Sequence, residues 1–189
     1  MENYNAKIIQ WIERDSFRMR ALACVAKAEI PQAFLAAGFV RNLVWDVLHR
    51  KETPTPLNDL DVIYFDLDES DPERYKAYEL KLQELMPDAN WQVRNQAMMH
   101  ERNGDRAYTD LIDAMSFWPE KETAVAIRQL ASGEYQCLSS FGFDSLFALK
   151  VTHNPKRSQA LFHQRVKSKR WMENWPRLRV VTDTDTPLL

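Results

Sequence analysis

The chain has 189 residues, 45% of them hydrophobic and 28% charged, with a formal net charge of −2. That length suits one domain with a real core, and the balance is that of an ordinary globular protein. The near-neutral charge excludes the global basic field that drives avid non-specific nucleic-acid binding, so any such contact has to be local.

In chain order, apolar residues recur at helical spacing from Ala6 to Ile30 (Ile8, Ile9, Ile12, Met19, Leu22, Val25), which predicts one helix ended before Pro31. Gln32 to Ala36 reads as a short strand, and Gly38 opens a second helix to about His49. Two prolines and two threonines make 51–58 a loop. Asp59 to Asp66 is the clearest strand, rich in β-branched and aromatic residues. A helix over 71–86, a strand over 90–95 and a short helix over 107–115 follow. Then come a hairpin, 123–128 with 135–139 about a Ser132-Gly133 turn, and a helix over 143–151. From Asn154 the chain turns basic and helical until Pro176, and a frayed tail is expected from Thr182. The mixed order predicts an α+β domain over 1–189, with about 154–180 as a helical segment packed on it. Cys24 and Cys137 show neither metal spacing nor a disulfide framework, which points to a reduced, cytoplasmic setting. No run reaches the roughly 18 apolar residues of a membrane helix, and the start does not read as a secretory signal. With four glycines there is no Gly-rich phosphate loop.

The chemistry concentrates in two places. Asp59 and Asp61 flank Leu60 at the mouth of the strand, and residues i and i+2 of a strand share a face. Two adjacent carboxylates repel unless a cation sits between them, and such hard oxygen donors suit Mg²⁺ or Mn²⁺. A bare D-x-D is equally a solvated acidic pair. Upstream lies Ala37-Gly38-Phe39-Val40-Arg41-Asn42 at a helix entry. A helix N-terminus favours phosphate, and an Arg in the first turn opposes the macrodipole unless an anion is present.

Together, A-G-F-V-R-N and N-D-L-D-V-I-Y-F-D resemble the G-x-V-R-D…D-x-D pattern of the polymerase β-like nucleotidyltransferases, as in their tRNA CCA-adding branch. The stretches W-Q-V-R-N-Q-A-M-M-H (91–100), F-W-P-E-K-E-T-A-V-A-I-R (117–128), F-G-F-D-S-L-F-A-L-K (141–150), N-P-K-R (154–157) and K-R-W-M-E-N-W-P (169–176) resemble a smaller bacterial branch. The likeness implies a mixed sheet with flanking helices. It implies that Gly38, Arg41 and Asn42 border an NTP, that Asp59 and Asp61 hold Mg²⁺ or Mn²⁺ and are catalytic, and that a nucleoside monophosphate passes to an acceptor. That acceptor is a small molecule, a protein or RNA.

Two departures stand out. Asn42 replaces the Asp of the pattern. The neighbouring strand, where the fold normally supplies a third carboxylate, offers Asn95 instead, and an amide cannot act as a base. Asp113 and Glu101 are the candidate acids to take its place, and His100 is a further candidate substrate contact. The missing acid also motivates an alternative: an inactive module of the same fold that binds nucleotide, RNA or a protein partner. The basic residues between Lys156 and Arg170 are either a phosphate-binding face or a solvated helix.

Overall fold

The computed structural model describes residues 3–182. The first helix is two: α1 (Tyr4–Ile12) and α2 (Ser16–Ala28). Asp15 causes the break, because its carboxylate accepts the Arg18 amide at 3.0 Å and so caps α2, a better use of Asp than a helix interior. Next come β1 (Phe34–Ala36), α3 (Gly38–Leu48), the Pro-rich loop, β2 (Leu60–Tyr64), α4 (Arg74–Leu85) and β3 (Trp91–Asn95). A 3-10 turn (Gln96–Met98) leads into α5 (Met99–Asn103), a helix the periodicity does not reveal. The helix expected over 107–115 shortens to α6 (Leu111–Met115), capped by Asp110. The hairpin forms as β4 (Val125–Gln129) and β5 (Tyr135–Ser139).

The helix expected over 143–151 is corrected. Only α7 (Asp144–Phe147) is helical; Leu149 takes a left-handed φ of 55°, and the chain continues as β6 (Lys150–Thr152). The basic segment gives α8 (Gln159–Ser168) and α9 (Trp171–Asn174). It ends in β7 (Arg179–Val181), which pairs in parallel with β6. That strand lies at the end of the segment expected to be helical to about residue 180, a correction that its pairing with β6 explains. Past Thr182, the expected frayed tail falls outside the described residues.

The main sheet runs β3-β2-β1-β4-β5, with β2 and β3 parallel and the other neighbours antiparallel. The α4 crossover joins the parallel pair, as such a connection requires. Period-2 alternation divides the side chains between two faces. Leu35, Leu60, Val62, Val93 and Ile127 enter the larger core with α2 and α3, while Phe34, Ile63 and Ala126 pack with Met115 of α6 on the other face. The C-terminal segment is part of the larger core through Phe162, Trp171, Trp175 and Leu178. The architecture is α+β, a mixed sheet with flanking helices. Among the described residues no helix is long and apolar enough to cross a membrane.

Candidate functional site

On β2, Leu60, Val62 and Tyr64 go to the core, and Asp61 and Ile63 face an open cleft of about 660 Å³. Asp59 lines the same cleft, so both carboxylates of the D-x-D project together. Burial, and then the neighbouring Asp59, push the Asp61 carboxyl up to about 6, against the pull of Arg41, Lys169 and Arg94. Among the described residues neither carboxylate has a hydrogen-bonded or ion-paired partner, and no third Asp, Glu, His or Cys joins them. Two unpaired, half-buried carboxylates are an electrostatic liability that a hard divalent cation removes, so the donor set fits Mg²⁺ or Mn²⁺ with two protein ligands.

The facing wall is the start of α3. Ala37 turns the chain into it with φ 55° and ψ −120°, its amide donating to the Val125 carbonyl at 2.9 Å. No side chain caps this helix and its first turn holds no acid; the Val40 and Arg41 amides donate to the Ala37 carbonyl, which leaves those of Gly38 and Phe39 available to an anion. Gly38 lines the cleft as well. A Cβ there would stand 3.4 Å from Arg41 Nη2 and 3.5 Å from Asn42 Nδ2, ordinary contact with two side-chain ends, so packing alone does not demand the glycine.

Arg41 is buried rather than freely extended. Its Nε and Nη2 donate to Asn42 Oδ1 at 3.2 and 3.0 Å, and Nη1 donates to Thr123 Oγ1 at 2.7 Å. Its guanidinium carbon sits 5.2 Å from the Trp45 ring centre and 4.6 Å from that of Trp171. Burial lowers it to about 10, which still leaves it charged at neutral pH. Its hydrogen bonds go to the neutral Asn42 and Thr123, so the charge is braced without a direct ion pair. Asn42, also in the cleft wall, is the brace.

The four further candidates lie elsewhere. Asn95 points to the same side as Trp91 and Val93, by strand parity. Its Oδ1 accepts the amides of Asp66 (3.0 Å) and Ala97 (3.1 Å), and its Nδ2 donates to the Asp66 carbonyl (2.8 Å) and Glu69 (3.1 Å). Asp113 takes a two-pronged contact from Arg106, both at 2.8 Å, which holds its carboxyl down to about 2. His100 Nδ1 bonds the Ala97 carbonyl at 2.7 Å, and Glu101 is exposed on α5. None of these four lines the cleft. The β3 residues that do are Gln92, the register partner of Asp61, and Arg94. Strand parity is the signal that would have found them.

The basic segment forms another wall, with most of its charge already used. Arg157 pairs with Asp105 and donates to the Phe117 carbonyl at 2.6 Å, and Arg165 grips Glu120 at 2.6 and 3.2 Å. Lys156 donates to Ser116 at 2.7 Å. Lys169 lines the cleft with no recorded partner among the described residues. Trp175 Nε1 donates to Asp46 at 2.8 Å, and Asp46 also accepts the Thr55 amide (2.7 Å) and hydroxyl (2.6 Å). One carboxylate of α3 thereby ties the C-terminal segment to the Pro-rich lip.

A family model described as nucleotidyltransferase matches residues 23–180. Among solved structures, the chain is similar to one whose NMR structure is described as revealing a CCA-adding enzyme head domain. That likeness covers 93% of this chain and 94% of the other, at 29% identity and a TM-score of 0.80. Comparison with curated proteins finds no match.

Proposed function

Since the chain belongs to this nucleotidyltransferase family, we propose that it transfers a nucleoside monophosphate from an NTP to an acceptor, with Asp59 and Asp61 as its metal-binding and catalytic pair. The observation that carries this is the meeting in one cleft of two unpaired carboxylates, an uncapped helix start and a braced, charged Arg41. Asp59 and Asp61 would hold Mg²⁺ or Mn²⁺, which supplies charge neutralisation at the triphosphate. The first-turn amides of α3 and Arg41 bind the phosphates. Lys169 adds a cation from the facing wall. The acceptor oxygen bonds to the α-phosphorus as the bond towards the β-phosphate breaks, and pyrophosphate leaves with the electron pair. Positioning and fixed charge supply the rate, because little covalent chemistry falls to the protein.

Two features bear on the acceptor. Among the described residues, no carboxylate, imidazole, thiol or phenol other than the two aspartates lines the cleft, so the acceptor proton leaves to water. The pairing of Arg157 and Arg165 leaves few free cations for a long RNA, which favours a small molecule or a protein. Free Cys24 and Cys137 are consistent with work in the cytoplasm.

The test is calorimetric titration of the four NTPs with and without Mg²⁺ or Mn²⁺, on wild type and on Asp59→Ala/Asp61→Ala. Metal-dependent binding abolished by the double variant is the expected result; no binding by folded wild type sinks the reading. The absence of a third carboxylate favours a second reading, a non-catalytic nucleotide- or partner-binding module. Label passing from an α-labelled NTP to any cellular fraction, in a metal-dependent way, rules that reading out.

A further inference from the structure

Gln96 is 6% exposed, lines the cleft, and makes no side-chain hydrogen bond among the described residues. Its amide atoms are not among the sealed unsatisfied ones, so they open onto the cleft. Buried amides are nearly always bonded, and one left open inside a cleft implies a ligand partner. The surroundings explain how it is held there. Asn95, locked by four hydrogen bonds, ends β3 and turns the chain so that Gln96 follows Gln92 and Arg94 into the cleft wall.

We propose that Gln96 reads the hydrogen-bonding edge of the nucleobase of the bound NTP. This rests on the nucleotidyltransferase reading above and adds its specificity element. Gln96 follows the last residue of β3, whose Gln92 is the partner of Asp61, and three strand steps from Gln92 to Asn95 already carry the chain about 10 Å along the strand before the turn that holds Gln96. The phosphate-binding groups lie back at Gly38, Arg41 and Lys169. At the Gln96 end, Ile63 and Trp118 belong to one apolar cluster and Met99 follows by one turn, all three lining the cleft. Asn103 lines it too, with its Nδ2 on Tyr108 at 3.3 Å and its Oδ1 unpartnered. These residues carry no formal charge. An apolar surface with one adjacent donor–acceptor pair suits a flat, neutral, polar-edged group, and a side-chain amide can meet a base in a two-pronged contact.

The experiment titrates ATP, GTP, CTP, UTP and inorganic tripolyphosphate, with Mg²⁺, into wild type, Gln96→Leu and Gln96→Glu, each checked by thermal melting. Wild type is expected to prefer one base. Gln96→Leu should weaken that NTP by about tenfold to a hundredfold, to the level of the others, with tripolyphosphate unchanged. Gln96→Glu, which loses a donor, should change the ranking, and it carries the test alone if the leucine variant does not fold. An unchanged ranking in the variants overturns the inference, as does wild type binding all four NTPs no better than tripolyphosphate; in both cases nucleotidyl transfer stands. Wild type that binds none of the five removes the transfer reading and this inference together.

Discussion

Arg41 of α3 stacks on Trp171 of α9, its guanidinium carbon 4.6 Å from the ring centre. The contact joins the braced cation of the cleft to the C-terminal segment, and Trp45 packs edge-on against Trp171 beside it, the two rings 5.9 Å apart. A buried cation–π contact is worth about 2 kcal/mol, beyond the burial of the ring itself.

Trp171→Ala should therefore do two things. It should cost about 3 kcal/mol of stability in urea unfolding, as removal of a fully buried aromatic does. It should also weaken NTP binding beyond what partial unfolding explains, because Arg41 loses a wall. Trp171→Phe, which keeps a ring, should recover most of both. Equal NTP affinity in folded Trp171→Ala contradicts the coupling.

Asp61 sets a pH dependence of unusual sign. The native state keeps this carboxyl protonated up to about 6, whereas the unfolded chain releases it near 3.8. Between those values the native state binds more protons, so this group's contribution falls as pH rises through the window and stays low above it. Asp61→Asn should thus be more stable than wild type at pH 7 to 8 by about 1–2 kcal/mol without metal, with the gain gone below about pH 4. Urea unfolding at the two ends of that range measures it. Added Mg²⁺ should then stabilise wild type and leave Asp61→Asn nearly unmoved.

These two residues show what sequence reading can and cannot reach. Strand parity put Asp59 and Asp61 on one face without any structure, because a side-chain period of 2 needs only local geometry. The same parity, applied to β3, sends Asn95 inward and Gln92 and Arg94 into the cleft, whereas Gln96 is placed by the 3-10 turn that follows, which no strand period describes. The break at Asp15 and the switch to strand after Leu149 were hidden for another reason. Both sit inside apolar runs whose helical spacing continues through them, and the deciding events are a side-chain cap and one left-handed residue. The pairing of β6 with β7 is a tertiary contact with no local signature.

Arg165 and Glu120 form an ion pair in which the Glu120 side chain is 1% exposed. Arg165→Met leaves that carboxylate buried without its partner and should cost about 3 kcal/mol. Adding Glu120→Gln to make the double variant should return most of that loss, which a thermodynamic cycle by urea unfolding resolves. Strictly additive losses contradict the pairing.

Ala37 holds φ 55° and ψ −120°, a conformation an L side chain rarely adopts. Ala37→Gly should stabilise the fold by about 1 kcal/mol, the relief of strain outweighing the extra freedom of the unfolded chain. Ala37→Val should destabilise it by more than that and lower NTP affinity, since the bend aims the start of α3. Thermal melting of both variants checks the signs.

Trp171, Asn174 and Trp175 follow every other lining residue of the cleft along the chain. During synthesis, the aspartates, the α3 turn and Gln96 all leave the ribosome before the Trp171 ring that stacks on Arg41 and before the Trp175 indole that bonds Asp46. The emerging polypeptide consequently carries every phosphate-facing group of the cleft without a finished place to hold a nucleotide, and the pocket closes only when its last wall is made.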